Sequence, residues 1–439
     1  LPCAAGTFSI DGASSCDYTS TTCPAGTFPS GAAACLDIPP PKSVEVRVAG
    51  DNALSVAIEP PDNDGGANIT HYSLILKPTV LQIQWQKIEK TSPTWVSYAA
   101  STRHNNTLML FTGSVTEFGS GRSGTGMKLD LPSMTWTEIS STVTPARTYA
   151  TAVTYKDSVF LFGGHDGSNA LSDVWKFSVA EETWTEMTAT CASGPPIQAL
   201  YRHSAVVYKD QMIVFGGDLG ATGTNNVWKL DLAKLISVDL CCLWTLATTG
   251  GSETPSMRYG HTAVVHETSM VIFSGGYGSK DNQLWFLDLE TNIWTKPTVS
   301  GASVPAPREY ARAVVFDGKM VLYGGRDSTV SYSGVWTFDL VSYEWEKIAL
   351  SVSKETMMAR WAGAGVVFNG KLIYVGGHAF HPTYGEGLGT DYYNFNEVYE
   401  CTLGYEATIL APANSAVVEN VDHAASTSFS IDAYTCSTL

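Results

Sequence analysis

An all-β fold, built as a ring of six four-stranded sheets, is what this sequence predicts, and three observations predict it. Five apolar runs end in paired glycines: "FLFGG" (Gly163, Gly164), "IVFGG" (Gly216, Gly217), "IFSGG" (Gly275, Gly276), "VLYGG" (Gly324, Gly325) and "IYVGG" (Gly376, Gly377), with "MLFTG" (Gly113) a degenerate sixth. Each run is followed by a second strand, as in "DVWKF", "NVWKL", "QLWFL" and "GVWTF", and by a third with its own tryptophan, as in "TWTEM", "LWTLA", "IWTKP" and "EWEKI". The spacing is regular: the period is about 50 residues, and nine residues separate Trp175 from Trp184, Trp285 from Trp294, Trp336 from Trp345, and Met127 from Trp136. Units of this size cannot bury their own faces and must stack on copies of themselves.

This pattern resembles the kelch family, whose units each form one blade of a β-propeller, and the resemblance runs from about Val80 to Leu403. It implies inner strands crowded around an axis, where glycine lets backbones approach, and tryptophans that fill the wedge between blades rather than stack on carbohydrate. Six sets of three strands begin near Trp95, Thr148, Tyr201, Tyr259, Tyr310 and Trp361, and Trp136, Trp184, Trp244, Trp294 and Trp345 mark the fourth strands. The last set, ending "NEVYECTL", lacks its fourth strand, while "IQWQKI" around Trp85 lies ahead of all the others. A six-bladed kelch β-propeller over residues 81–403, closed by lending that N-terminal strand to the last blade, leaves no open edge.

The flanks read differently. Residues 1–36 hold four of the nine cysteines in two versions of one repeat, "CAAGTFSIDGASSC" and "CPAGTFPSGAAAC", with little apolar mass to build a core. Crosslinks must replace that core, which implies an oxidising compartment. The repeat resembles the ephrin-receptor-like cysteine-rich repeats of cell-surface proteins. Pairing of Cys3 with Cys16 and of Cys23 with Cys35 is expected, although spacing leaves three connectivities open, and a zinc site is the competing reading of poorer ligand geometry. Residues 37–80 ("VEVRVAG", "LSVAIEPP", "HYSLIL") resemble the first half of a fibronectin type III sandwich, with Ile58 where that family usually has tryptophan. Half a sandwich exposes its inner face. Residues 404–439 ("GYEATILAPANSA", "STSFSIDAYT") are expected to complete it, so that the ring is an insertion within a split domain.

The formal charge of −16 and the lack of a Lys/Arg cluster speak against nucleic acid. No apolar run reaches the roughly 18–20 residues of a membrane span. The chain opens on Leu1 within a cysteine-repeat pattern and holds an odd cysteine count, so it is expected to be a piece of a longer or assembled surface structure. Sequons at Asn68 and Asn105 fit a secreted or cell-surface glycoprotein.

Function must be argued from departures from the repeat. The last blade inserts "HAFHPTYGEGLGTDYYNFN", whose His378, His381, Glu386 and Asp391 are weak candidate metal ligands; a protein-contact loop and plain decoration are the other readings. Blade 3 inserts "LAKLISVDLCC", ending in the vicinal Cys241 and Cys242, which can bond each other or pair with Cys191, Cys401 or Cys436. Arg147, Arg258, Arg308 and Arg360 enter the first strands in register, with Arg202 two residues displaced and hence expected on the same face. They either satisfy carboxylates and carbonyls of neighbouring blades or line the channel end, which in several kelch proteins binds acidic peptides. The expectation is a non-catalytic extracellular scaffold without cofactor, whose partners are proteins, including other surface proteins or further copies, with glycans a second class. The alternative is a galactose oxidase-like metal enzyme. Only His203 and His261 stand in neighbouring first strands for such a site, and no cysteine lies near an inner-strand tyrosine.

Overall fold

The computed structural model describes residues 85–88, 91–92 and 96–402, apart from 115–120, 143–144, 188–196, 237–243, 349–358 and 381–391, together with the backbone of six short strands before residue 60. Two compact units divide the chain: Leu1–Gln82 with Asn369–Lys371 and Thr402–Leu439, and Ile83–Phe368 with Leu372–Cys401. In the first, Thr7–Phe8 pairs antiparallel with Tyr18–Thr19, Thr27–Ser30 with Ala34–Asp37, and Ser43–Gly50 with Ala53–Glu59. The cysteine pairing expected there, the strands assigned within 60–80 and 404–439, and Asn68 lie outside the described residues.

Among the described residues the second unit is built on six antiparallel sheets of four strands, with two-stranded pairs at Gly276–Tyr277/Ser279–Lys280 and His378–Phe380/Tyr392–Asn394. Blade 1 comprises Ala100–His104, Thr107–Phe111, Gly126–Asp130 and Thr135–Ile139. Blades 2 to 5 repeat this, with first strands Thr151–Tyr155, Ser204–Tyr208, Thr262–His266 and Arg312–Phe316. Blade 6 takes Ala364–Phe368, Lys371–Val375 and Val398–Thr402 from the end of the repeat and Trp85–Ile88 from before it. Cys401 pairs with Trp85 and Val398 with Ile88, so the ring closes through the N-terminal strand. Neighbouring first strands touch all around the axis, including Ala364–Phe368 against Ala100–His104.

Second strands are apolar throughout because adjoining blades cover both faces: Val159, Phe160, Leu161 and Phe162 are fully buried. Their last residue receives the outer tryptophan of the following blade. Phe111 meets Trp184, Phe162 meets Trp244 and Phe215 meets Trp294, each at 5.0 Å between ring centroids. Phe273 meets Trp345 at 4.9 Å, and Tyr323 meets Trp85 at 5.0 Å. Trp85 therefore occupies in blade 6 the place its counterparts hold elsewhere. Third strands mostly end in aspartate, whose carboxylate accepts backbone N–H groups of the turn that follows, as Asp288 does from Glu290 and Thr291.

The paired glycines join one blade to the next. In every blade the N–H of the second residue of the pair donates to the carbonyl at the start of the next blade's first strand. Gly113 thus bonds Arg147, Gly164 Leu200, Gly217 Arg258, Gly275 Arg308, Gly325 Arg360 and Gly377 Val96, at 2.7–3.0 Å. The first residue has φ near +60 to +70°, and at Gly324 a Cβ would lie 2.3 Å from the Arg360 carbonyl oxygen. In blade 4 this register corrects the sequence reading. The pair is Ser274–Gly275, not Gly275–Gly276, since Ser274 carries φ +62° and Gly275 makes the bond. Ser274 compensates for its Cβ by donating its hydroxyl to the Asp281 carbonyl and accepting the Arg308 N–H.

Candidate functional site

The first strands begin at one end of the axis, and their opening residues fall into a sixfold register. Val96, Arg147, Leu200, Arg258, Arg308 and Arg360 hold the first position, and two residues later stand Tyr98, Tyr149, Arg202, Gly260, Tyr310 and Ala362. All six of the latter have φ between +52° and +67°. Their N–H groups donate in turn to one another's carbonyls: Tyr98 to Ala362, Tyr149 to Tyr98, Arg202 to Tyr149, Gly260 to Arg202, Tyr310 to Gly260 and Ala362 to Tyr310, at 2.7–3.2 Å. A closed belt of backbone hydrogen bonds thus encircles the axis.

Four of the arginines lie inside the blades. Arg147, Arg258 and Arg360 have no exposed surface and Arg308 is 2% exposed. Each donates to the carbonyl of the first residue of its own blade's pair: Arg147 to Gly163, Arg258 to Ser274, Arg308 to Gly324 and Arg360 to Gly376, at 2.8–3.0 Å. Arg147 adds a bidentate bond to Asp173 at 2.6 and 2.7 Å, Arg258 one to Asp281 at 3.1 and 2.9 Å, and Arg360 a bond to Glu397 at 3.1 Å. Arg308 lies 4.2 Å over the Tyr332 ring.

Arg202 belongs to the belt and does not share their surroundings. Two-residue spacing implies one face only in an extended strand, and its φ of +59° breaks that alternation. Its guanidinium stands 4.8 Å over Tyr149 and 5.1 Å over both Tyr201 and Tyr259, with Asp218 at 3.5 Å and 27% of the side chain exposed. Tyr98, Tyr149 and Tyr310 stopper the axis, their centroids 4.4, 5.5 and 6.0 Å apart. The Trp361 indole N–H donates to the Tyr98 hydroxyl at 2.8 Å. Burial pushes the Tyr98 and Tyr310 phenols well above their ordinary range, and burial together with a hydrogen bond to Asp218 raises Tyr201 to about 12. These phenols stay protonated and offer donors and ring faces rather than nucleophiles.

Further groups complete the mouth. Arg326 pairs with Glu309 at 3.0 Å and covers the Trp361 ring at 4.9 Å. The His165 ring packs tilted against Tyr201 at 4.9 Å, and burial followed by the neighbouring Arg122 charge holds its pKa below the usual value. Tyr277 and Met257, 41% and 44% exposed, form an apolar rim over blades 3 and 4. The belt role of Tyr98, Tyr149 and Tyr310, and the parts of Arg122 and Arg326, escaped the sequence reading; aligning each blade two residues beyond its opening position would have exposed the belt.

His378 lies in the strand His378–Phe380, 4% exposed, its ring 5.0 Å from Trp361. His381, Glu386 and Asp391 lie outside the described residues, as do Cys191, Cys241, Cys242 and Cys436. Among the described residues no group of three or more His, Cys, Asp or Glu is placed to hold a metal ion, and no helix is long and apolar enough to cross a membrane. Cys401 is buried beside Trp85, and burial raises its thiol pKa far above the usual value. Asn105 is exposed at the hairpin turn of blade 1.

Known proteins carry similar repeats. The KLHDC2/KLHL20/DRC7 Kelch-repeats domain matches residues 62–235 and 203–403, most of the chain. The protein belongs to this kelch-repeat family. It is similar to the Leucine-zipper-like transcriptional regulator 1 homolog of Drosophila melanogaster, 34% identical over 160 residues, or 35% of this chain and 16% of that protein. The human Leucine-zipper-like transcriptional regulator 1 is 30% identical over 156 residues, 34% of this chain and 17% of that one. The mouse Rab9 effector protein with kelch motifs is 31% identical over 124 residues, 28% of this chain and 30% of that one. The chain thus spans between about a sixth and a third of the length of these relatives.

Proposed function

We propose that this kelch propeller is a non-catalytic scaffold of the cell surface or extracellular space, and that it holds an acidic segment of a partner protein at the axial mouth. Arg202 is the observation that carries the reading. Of the five arginines near the opening register it is the one with exposed charge, and its partner Asp218 stands at the limit of hydrogen-bond distance. Desolvated against three phenol rings, a guanidinium retains its charge and presents a planar fork to a carboxylate. The exposed Tyr277 and Met257 rim adds apolar contact area. The four buried arginines hold the platform rigid from below. Extracellular placement draws on the cysteine repeats and sequons. Partner identity falls among other surface proteins, with glycans as a second class.

The test captures partners from intact cell surfaces with wild-type protein and with Arg202→Glu, and maps crosslinks by mass spectrometry. Crosslinks at the mouth that vanish in a variant that still folds, with native circular dichroism and cooperative unfolding, are expected. Capture that persists in the variant overturns the site, and stoichiometric copper or iron in the purified protein overturns the non-catalytic reading. Secretion behind a leader, with bonds Cys3–Cys16 and Cys23–Cys35 in a non-reducing peptide map, checks the compartment.

A further inference from the structure

Two histidines lie where other blades have alanine or glycine. His203 and His261 open the first strands of blades 3 and 4, at the position held elsewhere by Ala99, Ala150, Ala311 and Gly363. Each imidazole crosses to the preceding blade. His203 Nε2 shares a hydrogen bond with the Thr151 hydroxyl and His261 Nε2 with the Ser204 hydroxyl, both at 2.8 Å. Each ring lies on the residue that ends the neighbouring second strand, Phe162 at 5.0 Å and Phe215 at 5.1 Å. A Cβ on Gly163 or Gly216 would meet the ring Cε1 at 3.1 or 3.0 Å, so the imidazoles fill the space those glycines leave. Both Nδ1 atoms are buried without a hydrogen-bond partner.

We infer that His203 and His261 make blade 3 acid-labile, so that protonation unseats it from blade 2 and blade 4 and withdraws the mouth it carries. An imidazolium must donate from both nitrogens, and here one nitrogen has nothing to donate to. Among the described residues no carboxylate faces either ring. At His203 the facing groups are the Thr151 hydroxyl, Phe162 and the glycine backbone, and burial alone shifts it; at His261 burial comes first, then the Arg258 guanidinium and His203, both of which add positive charge. Both groups are pushed down to about 3. The folded pKa lies below that of an exposed histidine, near 6.5. The contribution to stability is therefore complete above about pH 6.5 and is lost progressively as pH falls toward 3. Between pH 7.5 and 5.0 the equilibrium for any opening that wets one ring rises about thirtyfold.

The consequence for binding follows from the chain, since Arg202 is adjacent to His203 and its neighbours Tyr201 and Tyr259 open the same two blades. That consequence rests on the mouth as the recognition surface; the opening itself does not. Native-state hydrogen exchange of the full chain at pH 7.5 and 5.0, corrected for intrinsic rates, tests the opening. Protection of Ser204–Tyr208 and Thr262–His266 should fall about thirtyfold or more in acid, with a far smaller change in Arg312–Phe316 of blade 5. His203→Ala with His261→Ala should remove the difference. A uniform change across all blades, or an undiminished one in the double variant, overturns the inference. If that variant fails to fold, the wild-type imidazole resonances decide. Rings that titrate near pH 6.5 in the folded protein overturn the inference, and rings that titrate only as blade 3 opens uphold it.

Discussion

Replacing Trp85 by alanine tests whether four residues from outside the repeat hold the ring shut. Trp85 is 5% exposed, and its ring lies 5.0 Å from Tyr323 and 6.4 Å from Tyr399, both edge-on. Burying a tryptophan removes about 150–250 Å² from water, or about 4–6 kcal/mol at roughly 25 cal/mol per Å². Alanine keeps a little of this, and core truncations of this kind cost about 3–5 kcal/mol. The Lys87–Glu397 ion pair, at 2.7 Å with 40% of the lysine side chain exposed, contributes well under that. The tryptophan thus dominates the closing strand. Urea unfolding followed by circular dichroism should show a loss of about 3–5 kcal/mol, and hydrogen exchange should show deprotection of Val398–Thr402, the strand that Trp85–Ile88 covers. Trp136→Ala, at the partly buried equivalent in blade 1, should cost less. A Trp85→Ala protein within about 0.5 kcal/mol of wild type, with Val398–Thr402 still protected, would refute the reasoning.

Other outcomes follow from the same packing. Gly324→Val should lose more than about 3 kcal/mol, seen as low soluble yield or early melting, because its Cβ meets the Arg360 carbonyl at 2.3 Å and its φ of +69° disfavours a β-branched residue. Arg258→Ala strands Asp281 and the Ser274 carbonyl and should cost about 3–5 kcal/mol in thermal unfolding, with Arg258→Lys recovering only part. Arg202→Ala loses the three ring contacts and the Asp218 pair but no carbonyl bond inside a blade, and should cost about 1–2 kcal/mol, less than Arg258→Ala. Ser274→Ala should cost about 1–2 kcal/mol by removing the hydroxyl that serves Asp281 and Arg308, and Ser274→Gly should recover part of it by relieving φ +62°.

The ring itself was legible in the linear chain. Apolar runs, glycine pairs and tryptophans at a fixed interval carry the blade, because each blade solves the same packing problem with the same local pieces. The orphaned third strand of blade 6 and the spare strand at Trp85 even announced the closure. What the linear chain could not show is which atoms of neighbouring blades meet. "FSGG" reads as a glycine pair, yet the bond to Arg308 assigns the roles to Ser274 and Gly275, since only the facing carbonyl fixes the register. Five arginines near one register read as one set. Tertiary structure separates them, burying four against carbonyls of their own blades and turning Arg202 out at a belt position whose positive φ comes from hydrogen bonds with the flanking blades. Composition and spacing record what one blade needs for its own strands, whereas exposure and charge at the axis are set by six blades at once, through contacts between residues dozens to hundreds of positions apart.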